Sequence, residues 1–329
     1  MRETGVRVAV IAAVMAASLL LPTRPSAAQE ATWRHGILEA KSDAGIIMMV
    51  SRGFGERQNL KIDLVQFKSD VVEMQALMSG EIDSFDSGVF LSIIAAARGA
   101  DVKVIGCPWP GMPYGILVRG DIGSVQDLKG KSVAISAPGA SPDLVARALL
   151  GQHGMSLAEV RLANLGGDVD RYKALAAGVV DAAVVTIEYV PIAERQGIRL
   201  LVLARDVLPQ NIRFCIVSTG KTLAARRSEA ARFLAAEMAA WRYAASHREE
   251  ALALTREITG AKGDDPRPGY FFDDAVHSHS VDADLSIPVD KLRWASEQLA
   301  RDGTLPRVFD VTRMVDPEIR ARAAELATK

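Results

Sequence analysis

The sequence predicts an α/β protein of two lobes, and three observations carry that reading. Strand-like and helix-like segments alternate from residue 32 to about residue 105, a pattern that builds a mostly parallel sheet covered by helices. A second alternating run starts after Gly120-Asp121-Ile122-Gly123-Ser124, where the pattern changes register. The stretch QALMSGEIDSFDSGVF, from Gln75, nearly repeats 98 residues later as KALAAGVVDAAVVT, from Lys173. One scaffold unit is therefore used twice, once in each lobe.

The first lobe opens with a strand over Thr32–Leu38 and a turn, Glu39 to Gly45, into a helix carrying Ile46, Ile47, Met48 and Phe54. Leu60–Phe67 alternates as a strand does. Val71–Met78 reads as a helix with Gly80 as its C-cap, then Ile82–Phe85 as a strand, Gly88–Ala97 as a helix and Val102–Ile105 as a strand. In the second lobe, strands are expected at Ser132–Ile135, Val160–Leu165 and Ala182–Val185, with helices over Pro142–Gln152 and Arg171–Ala177. Leu200–Leu203 and Arg213–Ser218 are further strands around a polar return segment. Beyond Thr222 the chain is helical, with Ala224–Ala245, His247–Thr259 and Val289–Arg301. The simplest arrangement places 29–119 and 210–329 in the first lobe, with its C-terminal helices, and 120–209 in the second. A single continuous α/β sheet is the alternative.

Residues 1–28 read as a secretory signal peptide: Arg2 and Arg7 precede the apolar run Val8–Leu21, and Ser26-Ala27-Ala28 supplies small residues for cleavage. The run is shorter than the ~20 residues a membrane-spanning helix needs. The chain carries 39 Lys+Arg and 40 Asp+Glu with no basic block, which argues against a nucleic-acid partner. Its two cysteines, Cys107 and Cys215, allow one disulfide or two buried thiols, and spacing alone does not decide between them.

The most informative loop is Ile135-Ser136-Ala137-Pro138-Gly139-Ala140-Ser141-Pro142-Asp143, a strand running through a Gly-containing turn into a helix, with Ser141 as the expected N-cap. Its backbone N–H groups and the Ser136 and Ser141 hydroxyls either face an anion or simply cap the helix. Lys41-Ser42-Asp43, after the first strand, and Asp86-Ser87-Gly88, after the repeated unit, occupy strand carboxyl ends, where ligands gather in α/β folds. Thr186, Glu188 and Tyr189 are their counterparts in the second copy, and Gly166-Gly167-Asp168 follows another strand. Trp109, Tyr114, Tyr189 and Phe214 stand at strand ends where a cleft between lobes would open. There is no Walker or GxGxxG motif, no HExxH and no GxSxG elbow. No metal, cofactor or catalytic constellation is expected.

Ala76-Leu77-Met78-Ser79-Gly80-Glu81-Ile82-Asp83, Asp127-Leu128-Lys129-Gly130-Lys131-Ser132-Val133-Ala134, Ala174–Asp181 and Glu297–Gly303 together resemble the periplasmic substrate-binding proteins of ABC importers for nitrate, sulfonates, taurine and pyrimidine thiamine precursors. The resemblance spans nearly the whole chain after residue 28. It implies a type II periplasmic binding protein fold, two α/β lobes joined by a two-crossover hinge that close on a small-molecule ligand and deliver it to an ABC permease. It also implies a periplasmic, monomeric, non-enzymatic protein. The ligand contacts it implies are Lys41, Ser42, Asp43, Asp86, Ser87 and Gly88 from one lobe, and Ser136, Pro138, Gly139, Ala140, Ser141, Thr186, Glu188 and Tyr189 from the other. Tyr114 and Gly167 join them from their strand ends. The ligand chemistry stays open among sulfonate, carboxylate, aromatic and pyrimidine-like solutes. A pyrimidine-forming enzyme on the same fold and a periplasmic sensor subunit are the alternatives.

Overall fold

The computed structural model describes residues 31–38, 44–67, 70–301 and 303–328. The proposed signal peptide and Lys41, Ser42 and Asp43 lie outside the described residues, as does the Ser87 side chain.

Two five-stranded sheets form the lobes. The first holds β1 (Ala31–Ile37), β2 (Leu60–Gln66), β3 (Ser84–Ser87), β4 (Val102–Trp109) and β10 (Phe214–Thr219), in the order β2-β1-β3-β10-β4. The second holds β5 (Tyr114–Arg119), β6 (Ser132–Ile135), β7 (Arg161–Asn164), β8 (Ala182–Thr186) and β9 (Ile198–Leu203), in the order β7-β6-β8-β5-β9. The orders match strand for strand. In each sheet four strands share one direction, and the first strand after a crossover (β5 in the second sheet, β10 in the first) pairs antiparallel on both sides. Both sheets are therefore mixed.

The chain crosses between sheets after β4 and again between β9 and β10. This corrects the expected boundary: Tyr114–Val118 belongs to the second lobe, where Tyr114 pairs with Thr186 and Val118 with Ala182. An apolar strand such as YGILV reads alike in either sheet, because its partners are set by strands distant in sequence. Cys107 and Cys215 form a disulfide between β4 and β10. Both are fully buried, and the whole second lobe lies between them in the chain.

The repeated unit is structurally duplicated. α3 (Asp70–Ser79) and α6 (Asp168–Ala176) end at Gly80 (φ 79°) and Gly178 (φ 72°), where the left-handed conformation favours glycine. In one copy the Glu81 N–H donates to the Ala76 carbonyl at 2.9 Å; in the other Val179 donates to Ala174 at 2.9 Å. Asp83 and Asp181 then enter their strands and grip the neighbouring one. Asp83 accepts the Arg34 N–H at 2.8 Å, and Asp181 accepts the Ser132 N–H at 2.8 Å. Hydrogen bonds to these charged forms outweigh burial and hold both carboxyls below their usual range.

The other helices are α1 (Ala44–Ser51), α2 (Phe54–Arg57), α4 (Val89–Ala97), α5 (Ser141–Gln152), α7 (Val190–Ala193), α8 (Ala204–Val207), α9 (Gly220–Ser246), α10 (Arg248–Thr259), α11 (Arg267–His277), α12 (Val289–Arg301) and α13 (Pro317–Ala327). α11 and α13 were not expected from the sequence. α9 is the spine of the first lobe and packs on α1, α2, α13 and β1. Its buried face is rich in alanine, from Ala230 to Ala244, so neighbouring elements approach closely. At Gly45 a Cβ would overlap the Trp241 indole, so only glycine lets α1 sit there.

Three apolar clusters make up the core. One lies under α3, α4 and α12 and includes Met74, Leu77, Phe85 and Leu292. Another lies under α5 and α8 and includes Val118, Leu149 and Val184. The largest runs from α9 through Trp109, Phe271 and Tyr189 to Val185, joining the lobes across the cleft.

Candidate functional site

A cavity of about 290 Å³ opens between the lobes. Ala44, Trp109 and Trp241 line it from the first lobe, and Gly167, Asp168, Val169, Asp170, Glu188 and Tyr189 from the second. α10, α11 and the segment joining them complete it with Thr255, Thr259, Ala261, Asp265, Arg267, Pro268, Phe271, Phe272 and Ala275. Five aromatic rings therefore border one space. Trp109 is their hub, edge-on to Trp241 at 5.8 Å between centroids and tilted against Phe271 at 5.5 Å. Tyr189 stacks on Tyr172 at 4.5 Å, and burial pushes the Tyr172 hydroxyl up. Such walls offer flat apolar area to an organic body.

Most of the charged groups at the cavity are already engaged. Asp168 accepts the Thr186 N–H at 3.0 Å and the Arg171 guanidinium at 2.6 Å. Asp265 is held below its usual range by hydrogen bonds from Arg267, at 2.6 Å from Nη2, and Arg267 also lies 5.8 Å from the Tyr189 ring centroid. The Thr186 hydroxyl donates to Glu188 at 3.1 Å. Arg213 differs. Its guanidinium lies over Trp109 at 4.5 Å and near Phe271 at 5.6 Å, two of the cavity's rings. The residue is 6 % exposed, and its Nε and Nη1 have no hydrogen-bond partner among the described residues. A buried cation without a counter-ion is costly and calls for an anion.

Of the residues expected at a site, Gly167, Glu188 and Tyr189 border this cavity. Tyr114 and Thr186 sit opposite each other at the adjoining ends of β5 and β8. Gly88 stands just before α4 with the Asp70 carboxylate and the Arg213 carbonyl nearby. Ser136, Pro138, Gly139, Ala140 and Ser141 form the β6–α5 loop. Gly139 borders a separate cavity of about 600 Å³, between α4 and α12 on one side and α5 on the other. Ser141 is not the N-cap: α5 begins at Ser141, and Ala140 precedes it without a side-chain cap. Asp143 serves that end instead, accepting the Gly139 N–H and Arg147 Nε, each at 2.7 Å. The Gly139 N–H is thus spent within the loop.

Asp86 is buried beside His35, with Oδ2 at 3.5 Å from Nε2. His35 Nδ1 lies 2.8 Å from Ser84 Oγ, which also accepts the Trp33 indole N–H at 2.8 Å. Ser84, His35 and Asp86 have the composition of a hydrolytic triad, but Ser84 and His35 are 0 % exposed and no solute reaches them. Beside Asp86, Glu73 is fully buried and both its oxygens lack a hydrogen-bond partner among the described residues. Burial, then the charges of Asp70 and Asp86, push its pKa up to about 9, so it is neutral at pH 7. Among the described residues no group of three or more His, Cys, Asp or Glu is arranged to hold a metal ion.

Trp241, Phe271, Phe272, Arg267 and Arg213 were not anticipated. The one available signal was the aromatic density of RPGYFF at the start of α11. Arg213 and Trp241 had none.

Two lobes of matching topology, a chain that crosses between them twice and a cavity at their junction define a type II solute-binding fold. The NMT1/THI5-like family model matches residues 41–251, and the chain belongs to that family. A putative aliphatic sulfonates-binding protein of Escherichia coli (strain K12) is 30 % identical over 162 residues, 48 % of this chain. That alignment spans about half the length of the relative (50 %). Among solved structures, the periplasmic aliphatic sulphonate binding protein of Escherichia coli aligns with TM-score 0.72 at 22 % identity, over 87 % of this chain and 92 % of its own. The alkanesulfonate-binding protein of Xanthomonas axonopodis pv. citri, bound to MOPS, aligns with TM-score 0.72 at 20 % identity, over 88 % of this chain and 100 % of its own. At these identities the solved structures establish the fold. These solved relatives are named as binding proteins, whereas a desulfurization enzyme shares the same fold, with TM-score 0.67 at 15 % identity over 90 % of this chain.

Proposed function

We propose that the protein is the periplasmic solute-binding component of an ABC importer, and that it holds a small ring-bearing organic acid between its lobes. The observation that carries this reading is the aromatic-walled cavity at the lobe junction, with the buried Arg213 guanidinium behind its lining, packed against two of its rings with Nε and Nη1 unpartnered among the described residues. The rings take the organic body and Arg213 favours a single acidic group. Glu188 and Asp170 on the second lobe's wall disfavour a second one. Binding energy then shifts an open–closed equilibrium, and the permease engages the closed form. Lys41 and the β6–α5 loop remain proposed solute contacts.

The test is thermal stabilisation across aryl and alkyl sulfonates, aromatic carboxylates, nitrate and pyrimidines. An acceptable solute at a hundredfold excess over its Kd stabilises the fold by about 2.7 kcal/mol. The expected order places aryl acids first, and Arg213→Met weakens acids by about tenfold while leaving neutral ring compounds unchanged. A panel in which nothing stabilises the protein overturns the solute-binding reading. Acids that bind the Arg213→Met variant as well as the wild type overturn the assignment of acid recognition to Arg213.

A further inference from the structure

The helix that walls the cavity is tied to both lobes by two neighbouring carboxylates. Asp273 of α11 takes Arg248 of α10, with Nε at 2.6 Å and Nη2 at 2.7 Å. Asp274 takes Arg205 of α8, with Nη1 at 2.9 Å and Nη2 at 3.0 Å. Successive residues on a helix point about 100° apart, which lets one helix reach in both directions. α10 packs on α1 and α9 of the first lobe, whereas α8 packs on α5, β5 and β9 of the second. α11 itself lies against the 187–189 turn and α7 of the second lobe.

The two ends of α11 are held unequally. Beyond its C-terminus the Gly111 N–H donates to the Ser280 carbonyl at 3.1 Å and the Asp282 N–H to Pro108 at 2.9 Å, which pins this end to the first crossover. Before its N-terminus the chain passes through Gly260, in the left-handed conformation at φ 64°, and Gly263, and a Cβ at either would meet nothing within 4 Å. One end is anchored at the hinge, and the other is fed by an uncrowded segment. Between them Arg267, Phe271 and Phe272 close the side of the cavity.

We propose that α11 is a lid on the solute cavity, that the Arg205–Asp274 pair is the latch fastening it to the second lobe, and that release of this latch frees α11 ahead of the lobe rotation that admits solute. The proposal rests on the solute-binding reading only for what passes the lid; the lid's motion is a property of the solute-free chain. Arg205 and Asp274 side chains are 30 % and 17 % exposed, so the pair is shielded enough to hold and open enough to break.

Hydrogen exchange on the solute-free protein is the test. Asp274→Asn lowers the protection of amides in 267–277 by about tenfold, Arg205→Gln does the same from the other side, and β5, β8 and β9 stay as protected as in the wild type. Acrylamide quenching of tryptophan fluorescence, measured in a Trp294→Phe background that leaves Trp109, Trp241 and the core residue Trp33, rises in both variants. Unchanged protection of α11, an effect from only one of the two variants, or equal loosening of the second sheet overturns the latch. A freed α11 without increased quenching overturns its role as the lid. No outcome depends on whether any solute binds, so failure here is separate from failure of the proposed function.

Discussion

Glu73 shows how a single buried group sets the pH response of the first lobe. Its counterpart 98 residues on is Arg171, which donates to the Val184 carbonyl at 2.7 Å and also pairs with Asp168 and the Gly166 carbonyl. The second lobe thus fills this position with a satisfied cation, and the first lobe fills it with a carboxyl that stays protonated. A carboxyl whose pKa is raised by folding keeps its proton in the native state while the unfolded chain loses it above the usual carboxylate value of 4.5. The native state therefore binds the extra proton between pH 4.5 and about 9, and stability falls as pH rises through that window. Each pH unit costs at most about 1.4 kcal/mol from this group. Glu73→Gln, a neutral shape-mimic, is expected to flatten that slope and to exceed the wild type in stability at pH 8. Urea unfolding at several pH values measures it, and parallel wild-type and variant slopes would show that Glu73 is not the source.

Among the elements, β4 and β10 carry the strongest staple. The Cys107–Cys215 disulfide closes a loop with a sequence separation of 108 that contains the whole second lobe, just before the first crossover and just after the second. Long closed loops lose the most unfolded-state entropy. Reduction, or replacement of both cysteines by alanine, should cost about 2–5 kcal/mol, seen as a lowered Tm. An unchanged Tm would place the stability of this junction elsewhere, for example in Lys291, which donates to the Pro110 carbonyl at 2.7 Å. The repeated helix–glycine–strand unit was legible because it is local: Gly80 and Gly178 punctuate it, and Asp83 and Asp181 follow at fixed spacing. The lobe of β5 was not legible, since an apolar strand does not record its partners. The site was read partially for the same reason. Gly167, Glu188 and Tyr189 lie at strand ends, which sequence identifies, whereas Trp241, Phe271 and Arg213 come together only through the packing of α9, α11 and the return crossover.

At the scale of the whole molecule, the two sheets share one topology and meet at a doubled crossover braced from outside. Trp294 of α12 packs against the apolar clusters of both lobes, and Lys291 of the same helix holds the first crossover. A brace at the hinge with a cavity at the junction favours rotation of the lobes about the crossovers over sliding of one sheet on the other. Small-angle scattering with and without a saturating solute, chosen by thermal stabilisation, tests the central claim most directly. A radius of gyration that falls on binding, with no change in mass, is the predicted result; a stabilising solute that leaves the radius of gyration unchanged would contradict it.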